Sequence, residues 1–189
     1  VMNNPKVDAI FGLHAWPGKV GTVEYRSGPT MAAAERMRIT VTGSQTHGAV
    51  PWKGVDPIAI SSQIITALQT IVAREVNITQ VPAVVTIGSI HGGVRNNIIP
   101  EEVVMEGTIR TFNDEVRKDI HDSIRKKAEM IASASGATAK VEIFSDIAKV
   151  TFNEPSLTDK MVPSLERVYG KENVKITPFI TGAEDFPFF

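Results

Sequence analysis

Residues 36–42 alternate, with Met37, Ile39 and Val41 on one side and Arg38, Thr40 and Thr42 on the other, the period of two expected of a half-buried strand. The period then changes. Asp56-Pro57 combines a capping side chain with a first-turn proline, and Ile60, Ile64, Leu68, Ile71 and Val72 recur at helical spacing, which predicts a helix to about Arg74. Residues 83–90 form a β-branched run, and 101–111 alternate again, setting Val103, Met105 and Ile109 against Glu106, Thr108 and Arg110. Asn113 is placed to cap a second helix with Asp114 and Glu115 at its positive end, a stripe of Val116, Ile120, Ile124 and Ile131, and a stop at Gly136. Residues 139–144 alternate through Ala139, Val141 and Ile143. The order from about 36 to 145 is strand, helix, strand, strand, helix, strand. It predicts an α+β fold of the split βαβ (ferredoxin-like) type, with two helices over one face of a four-stranded antiparallel sheet and the other face free.

On either side the pattern is thinner. Residues 7–13 are an apolar run that ends in His14 and then Trp16-Pro17-Gly18, so a buried strand emptying into a loop is expected there. Residues 154–170 read as a helix through Leu157, Met161, Leu165 and Val168, stopping at Gly170. The predicted division is 1–28, 29–147 and 148–189, the two flanks carrying too little apolar material to form a core by themselves. The opening at Val1 and the apolar close at Pro187-Phe188-Phe189 lead to the expectation that the chain is a piece of a longer protein.

Composition narrows the function classes. The 189 residues carry 20 Lys+Arg against 21 Asp+Glu, a formal net charge of −1, so no global field pulls toward nucleic acid or an anionic membrane. There is no cysteine, which excludes disulfides and leaves His, Asp and Glu to build any metal site. No run of apolar residues is long enough to span a bilayer and no basic-then-apolar leader opens the chain, so a cytoplasmic protein is expected.

The residues with chemistry are individually ordinary. His14 stands at the mouth of the predicted first strand, and His47 lies in the Gly/Pro loop Thr46-His47-Gly48-Ala49-Val50-Pro51 after the strand at 36–42. Asn97 precedes Ile98-Ile99-Pro100. Arg110 lies on the polar side of the following strand, where a planar fork can take a carboxylate. Gly182-Ala183-Glu184-Asp185-Phe186 offers paired acids in a loop. His91 and His121 read as surface residues.

Their joint order is more specific. Gly-Leu-His-x-x-Pro (12–17), Thr-His-Gly-Ala-x-Pro-x-x-Gly-x-Asp-Pro (46–57), Asn-x-Ile-Pro (97–100), Gly-Thr-x-Arg-Thr-Phe (107–112) and Gly-x-Glu-Asp-Phe (182–186) resemble the aminoacylase/carboxypeptidase metallohydrolases. The branch resembled includes hippurate hydrolase and the hydrolases of indole-acetyl amino acids. The resemblance implies a lid and dimerisation domain inserted into an α/β catalytic domain that holds two divalent metals, zinc first, with manganese, cobalt and nickel compatible. It implies that His14 is a metal ligand, that His47 reaches the partner subunit's site and steadies an oxyanion, and that Asn97, Arg110 and Gly182 contact substrate. Glu184 and Asp185 match the acids before the family's last metal histidine, and Asn153 matches an asparagine following the lid. The substrate implied is an N-acyl amino acid or small peptide, and the assembly a homodimer through the lid, with no nucleic acid and no membrane. The family's first ligand cluster, its Glu-Glu pair with the general base and its final histidine have no counterpart in this sequence. This chain alone is therefore expected neither to retain the metals nor to be active.

Two other classes bear on the same pattern. An interaction module without activity, pairing through its sheet edges or helices, fits the same pattern. RNA binding on a split βαβ sheet needs aromatic residues on the free face, and 36–42, 83–90 and 101–111 contain none.

Overall fold

The computed structural model describes residues 6–189, the side chain of Asp146 excepted. In chain order the strands are β1 (Val23–Tyr25), β2 (Gly28–Met31), β3 (Ala33–Thr42), β4 (Thr46–His47), β5 (Ala83–Gly92), β6 (Ile98–Ile99), β7 (Glu102–Thr111), β8 (Thr138–Ala148), β9 (Thr151–Asn153) and β10 (Val174–Ile176). The helices are α1 (Pro57–Arg74), α2 (Asp114–Ala134) and α3 (Pro155–Tyr169). Two compact units result. One takes the chain up to Ala32 and from Ala148 onward, and the other is Ala33–Ile147.

The central unit carries a four-stranded sheet in the order β5-β7-β3-β8. β7 is antiparallel to both β3 and β5. The inward set of β3 and β7, Met37, Ile39, Val41, Val103, Met105 and Ile109, is buried together with Ile60, Ile64, Leu68 and Ile71 of α1 and Ile120, Ile124, Ala128 and Ala132 of α2. Each of the larger side chains contributes about 1.5–3 kcal/mol on leaving water. The alanines at the contact allow α2 a close approach. Val116 and Ile131, expected in its stripe, are only partly buried at the margin. Asp56 accepts from the N–H groups of Ile58 (2.9 Å) and Ala59 (3.3 Å), and Asn113 from those of Glu115 (2.8 Å) and Val116 (3.0 Å). α2 stops where Gly136 takes φ 76° and the Ala137 N–H closes on the Ala132 carbonyl at 2.9 Å. The outward face is polar, as the alternation predicts: Arg38 lies directly opposite Glu106 and donates to its carboxylate at 2.6 and 3.0 Å.

In the flanking unit β1 pairs with β10 in parallel, and β2 pairs with β9 antiparallel. In that second ladder residues 29–31, assigned to the lid from the sequence, pair with 151–152, and the change of unit falls at Ala32/Ala33. The strand expected at 7–13 does not form. No ladder among the described residues takes in this run, and Leu13 is 84% exposed. An apolar run becomes a strand only when backbone partners accept its hydrogen bonds. α3 forms at the predicted place with Glu154 as its cap, but Val168 is exposed and only Thr158 is buried on that helix. Among the described residues no helix is long and apolar enough to cross a membrane.

Candidate functional site

The His47 turn is built by short-range backbone chemistry. Ser44 and Val55 exchange hydrogen bonds (2.9 and 3.0 Å), closing a loop between β3 and α1, and Thr46 and His47 pair with Ile99 and Ile98. The Gly48 N–H donates to the Asn97 carbonyl at 2.8 Å, so the two segments that carried separate motifs lie side by side. His47 Nδ1 accepts the Ala49 N–H at 3.0 Å. In the neutral ring the proton then sits on Nε2, which leaves that nitrogen as the outward donor of an exposed imidazole. The Asn97 side chain is also exposed and makes no hydrogen bond among the described residues. Beside this turn lies a cleft of about 500 Å³ lined in part by Gly48, Asp56, Ile58, Arg95, Ile98 and Ile99.

Arg110 is elsewhere on the same sheet. It stands opposite Ala34 and Val84, near the end of β7 at which the chain crosses between units. At about 3.3 Å per strand residue it is on the order of 25 Å from the His47 end. Of the arginines on the polar side of β3 and β7, Arg38 is paired with Glu106 and Arg36 lies over the Phe144 ring at 4.7 Å. The Arg110 guanidinium has no hydrogen-bond or ion-pair partner among the described residues.

In the flanking unit His14 and Glu184 meet. His14 Nδ1 lies 2.6 Å from the Ala15 carbonyl and Nε2 lies 2.8 Å from Glu184 Oε1. The contact is assisted by Gly12, where a Cβ would stand 3.1 Å from the Phe186 ring, so the 12–14 and 184–186 segments are in close approach. Gly182 contributes its carbonyl, which accepts the Ala32 N–H at 3.0 Å. Asn153 is structural in this unit: its amide donates to the Arg26 carbonyl (2.8 Å) and Thr30 Oγ1 (3.0 Å). Asp185 does not join His14; its carbonyl accepts the Phe188 N–H at 3.0 Å in a terminal turn. His14 and Glu184 make two donors for a metal, and among the described residues no group of three His, Cys, Asp or Glu converges. A catalytic metal takes about three protein ligands. His14 and Glu184 alone fall short of that number.

The reading of His121 is overturned. His121, read as a surface residue, has a side chain only 16% exposed, and its Nε2 lies 2.7 Å from Oε2 of Glu35, whose side chain is 1% exposed. Ser145 donates to the other carboxylate oxygen. Burial opposes ionisation of Glu35, but the bonds from His121 and Ser145 and the charges of His121 and Arg117 outweigh it, and its pKa is lowered. The signal was present: Glu35 shares strand parity with Met37, Ile39 and Val41, an acid on the buried side. His91, by contrast, is exposed as expected. Arg95 and its cleft were also missed, although Gly92-Gly93 just ahead of Arg95 marks backbone bent around a concavity.

Known proteins place this geometry. The chain is 38% identical to thermostable carboxypeptidase 2 of Saccharolobus solfataricus, over all of this chain and 47% of that protein. It is 45% identical to N-acetyl-L-cysteine deacetylase of Bacillus subtilis, over 72% of this chain and 33% of that protein. The crystal structure of a dinuclear metal binding peptidase of the M20 family from Bacillus subtilis superposes with a TM-score of 0.71 at 30% identity, covering 89% of this chain and 41% of that one. The chain spans about half the length, or less, of these relatives. Residues 34–135, more than half of the sequence, match the peptidase dimerisation domain of the M20 peptidases, and the chain belongs to that family.

Proposed function

We propose that the intact protein hydrolyses the amide bond of N-acyl amino acids or small peptides, with the central unit serving as lid and dimerisation domain. His14 is assigned as one ligand of its divalent metal centre, with zinc preferred. The observation that carries the reading is the state of His47: an exposed imidazole whose Nδ1 is satisfied within its own turn, so that Nε2–H is presented outward. That is the form needed to donate to an oxyanion developing on an attacked carbonyl. His47 and Asn97 stand at one end of the sheet, and action in a partner subunit's site is proposed for them. Arg110 stands at the crossing end. One carboxylate cannot be held by Asn97 and Arg110 of the same chain across that separation, so Arg110 of one subunit is paired with Asn97 and His47 of the other. Gly182 keeps its place near the substrate as a proposal supported by motif order alone.

Complementation tests this directly. Full-length His47→Ala is expected to lose about 10²–10³ in kcat, the usual cost of one oxyanion donor. Mixed with full-length His14→Ala under conditions of subunit exchange, it is expected to recover activity, because the hybrid dimer holds one site with an intact His14 and a partner's intact His47. Failure to recover in confirmed hybrids would place His47 in its own subunit's site and defeat the assignment in trans.

A second reading concerns the 189 residues as they stand: a dimerising module without activity of its own. It is favoured by the dimerisation-domain match. Light scattering on this chain is expected to give twice the monomer mass, and monomer at all concentrations would refute it.

A further inference from the structure

The cleft beside the His47 turn is lined by an arginine, Arg95, that the reading above does not use. Its volume of about 500 Å³ is within the range of small-molecule sites. Ile58, Val94, Ile98 and Ile99 provide apolar walls, and its charged lining residues are Asp56 and Arg95. These two differ in commitment. Asp56 spends Oδ1 on the first-turn N–H groups of α1, whereas Arg95 is exposed and its guanidinium has no hydrogen-bond or ion-pair partner among the described residues. The backbone sets Arg95 close to the reactive end of the lid: its carbonyl accepts the Ile98 N–H at 3.4 Å, and the Asn97 carbonyl next to it accepts the Gly48 N–H. Arg95, Asn97 and His47 therefore belong to one hydrogen-bonded loop cluster, and a site delivered by His47 brings the cleft with it.

We propose that Arg95 is a specificity-determining residue, receiving a second carboxylate of the substrate while the aliphatic stem of that group lies along Ile58, Ile98 and Ile99. The substrate class is then the amide of an acidic amino acid, or an amide with a dicarboxylic acyl arm, in preference to neutral analogues of the same size. The chemistry is that of a planar fork with free donors beside apolar side chains: the fork binds the two carboxylate oxygens side by side, and the stem packs on the isoleucines. The inference rests on the proposed roles of His47 and Asn97.

The test is steady-state kinetics of the full-length enzyme on an isosteric pair, an N-acyl-glutamate and the corresponding N-acyl-glutamine. The wild type is expected to favour the glutamate by about tenfold or more in kcat/KM. Arg95→Ala is expected to bring that ratio close to one through KM, Arg95→Lys to keep part of it, and Arg95→Glu to invert it. A wild type without preference for the charged member, or an Arg95→Ala ratio equal to that of the wild type, overturns the inference. His47→Ala run alongside separates the two levels. If it leaves kcat unaltered, the reading of the site fails. If it slows both substrates while the Arg95 variants leave the ratio in place, the site reading stands and the specificity inference falls. A shift of Arg95→Ala from dimer to monomer with the ratio retained would assign the cleft to a second copy of the chain and overturn the inference as well.

Discussion

Glu35 is the residue on which the central unit concentrates its buried polar contacts. Its carboxylate lies beneath α2 and joins β3 to His121 of that helix and Ser145 of β8, while its own carbonyl accepts from Thr108 Oγ1 on β7 at 3.1 Å. Four elements meet at one residue. Glu35→Ala leaves His121 and Ser145 without their acceptor, and a loss of about 2 kcal/mol is expected in urea denaturation. The direction of its pKa also sets a pH dependence. A carboxyl held below its ordinary range when folded binds its proton later than in the unfolded chain, so its contribution is complete above the unfolded value and disappears as pH falls through the folded one. Wild type and Glu35→Gln are therefore expected to differ in Tm near neutral pH and to converge in acid. Curves that remain parallel down to pH 3 would show that the carboxylate adds nothing by being ionised.

At the level of elements, the two lid helices were legible because capping and periodicity are local. Asp56-Pro57 and Asn113 place their first turns, and the side chains act on N–H groups two and three residues away. Asn113→Ala is expected to cost about 1 kcal/mol and Asn113→Gly only a few tenths, measured as the change in denaturation midpoint at constant slope. The flanking run at 7–13 shows the converse. Its apolar composition resembles that of β5, yet β5 forms because β7 accepts its whole length, and 7–13 meets no such ladder among the described residues. Strand formation is decided by a neighbour distant in sequence. The boundary at Ala32 has the same origin, since Gly28–Met31 belong where Thr151–Asn153 pair with them.

For the whole molecule, the separation of Arg110 from His47 along β7 is the consequential fact. It sets the residues proposed to bind substrate at opposite sheet ends, and under that proposal the activity is a property of two subunits. Full-length Arg110→Ala mixed with His47→Ala is expected to recover activity, since one site of the hybrid keeps its own Arg110 and receives the partner's His47. Arg110→Ala mixed with His14→Ala is not, because both lesions act on a subunit's own site. The reverse pattern in exchange experiments would assign Arg110 to the partner's site.

The sequence by itself determined the lid: its strand and helix order, its buried and polar faces, its caps, and the family to which its motifs point. Those properties depend on side-chain period and on contacts within a few residues, which are written directly in the order of residues. Only the tertiary structure decided which separated residues meet. It placed Gly48 on Asn97, His14 on Glu184 and His121 on Glu35, and it left Arg110 and Arg95 without partners among the described residues. Each of those facts depends on which parts of the chain meet in space, fixed by sheet register and by the competition of a charge between water and a buried counterpart. No local pattern carries that information.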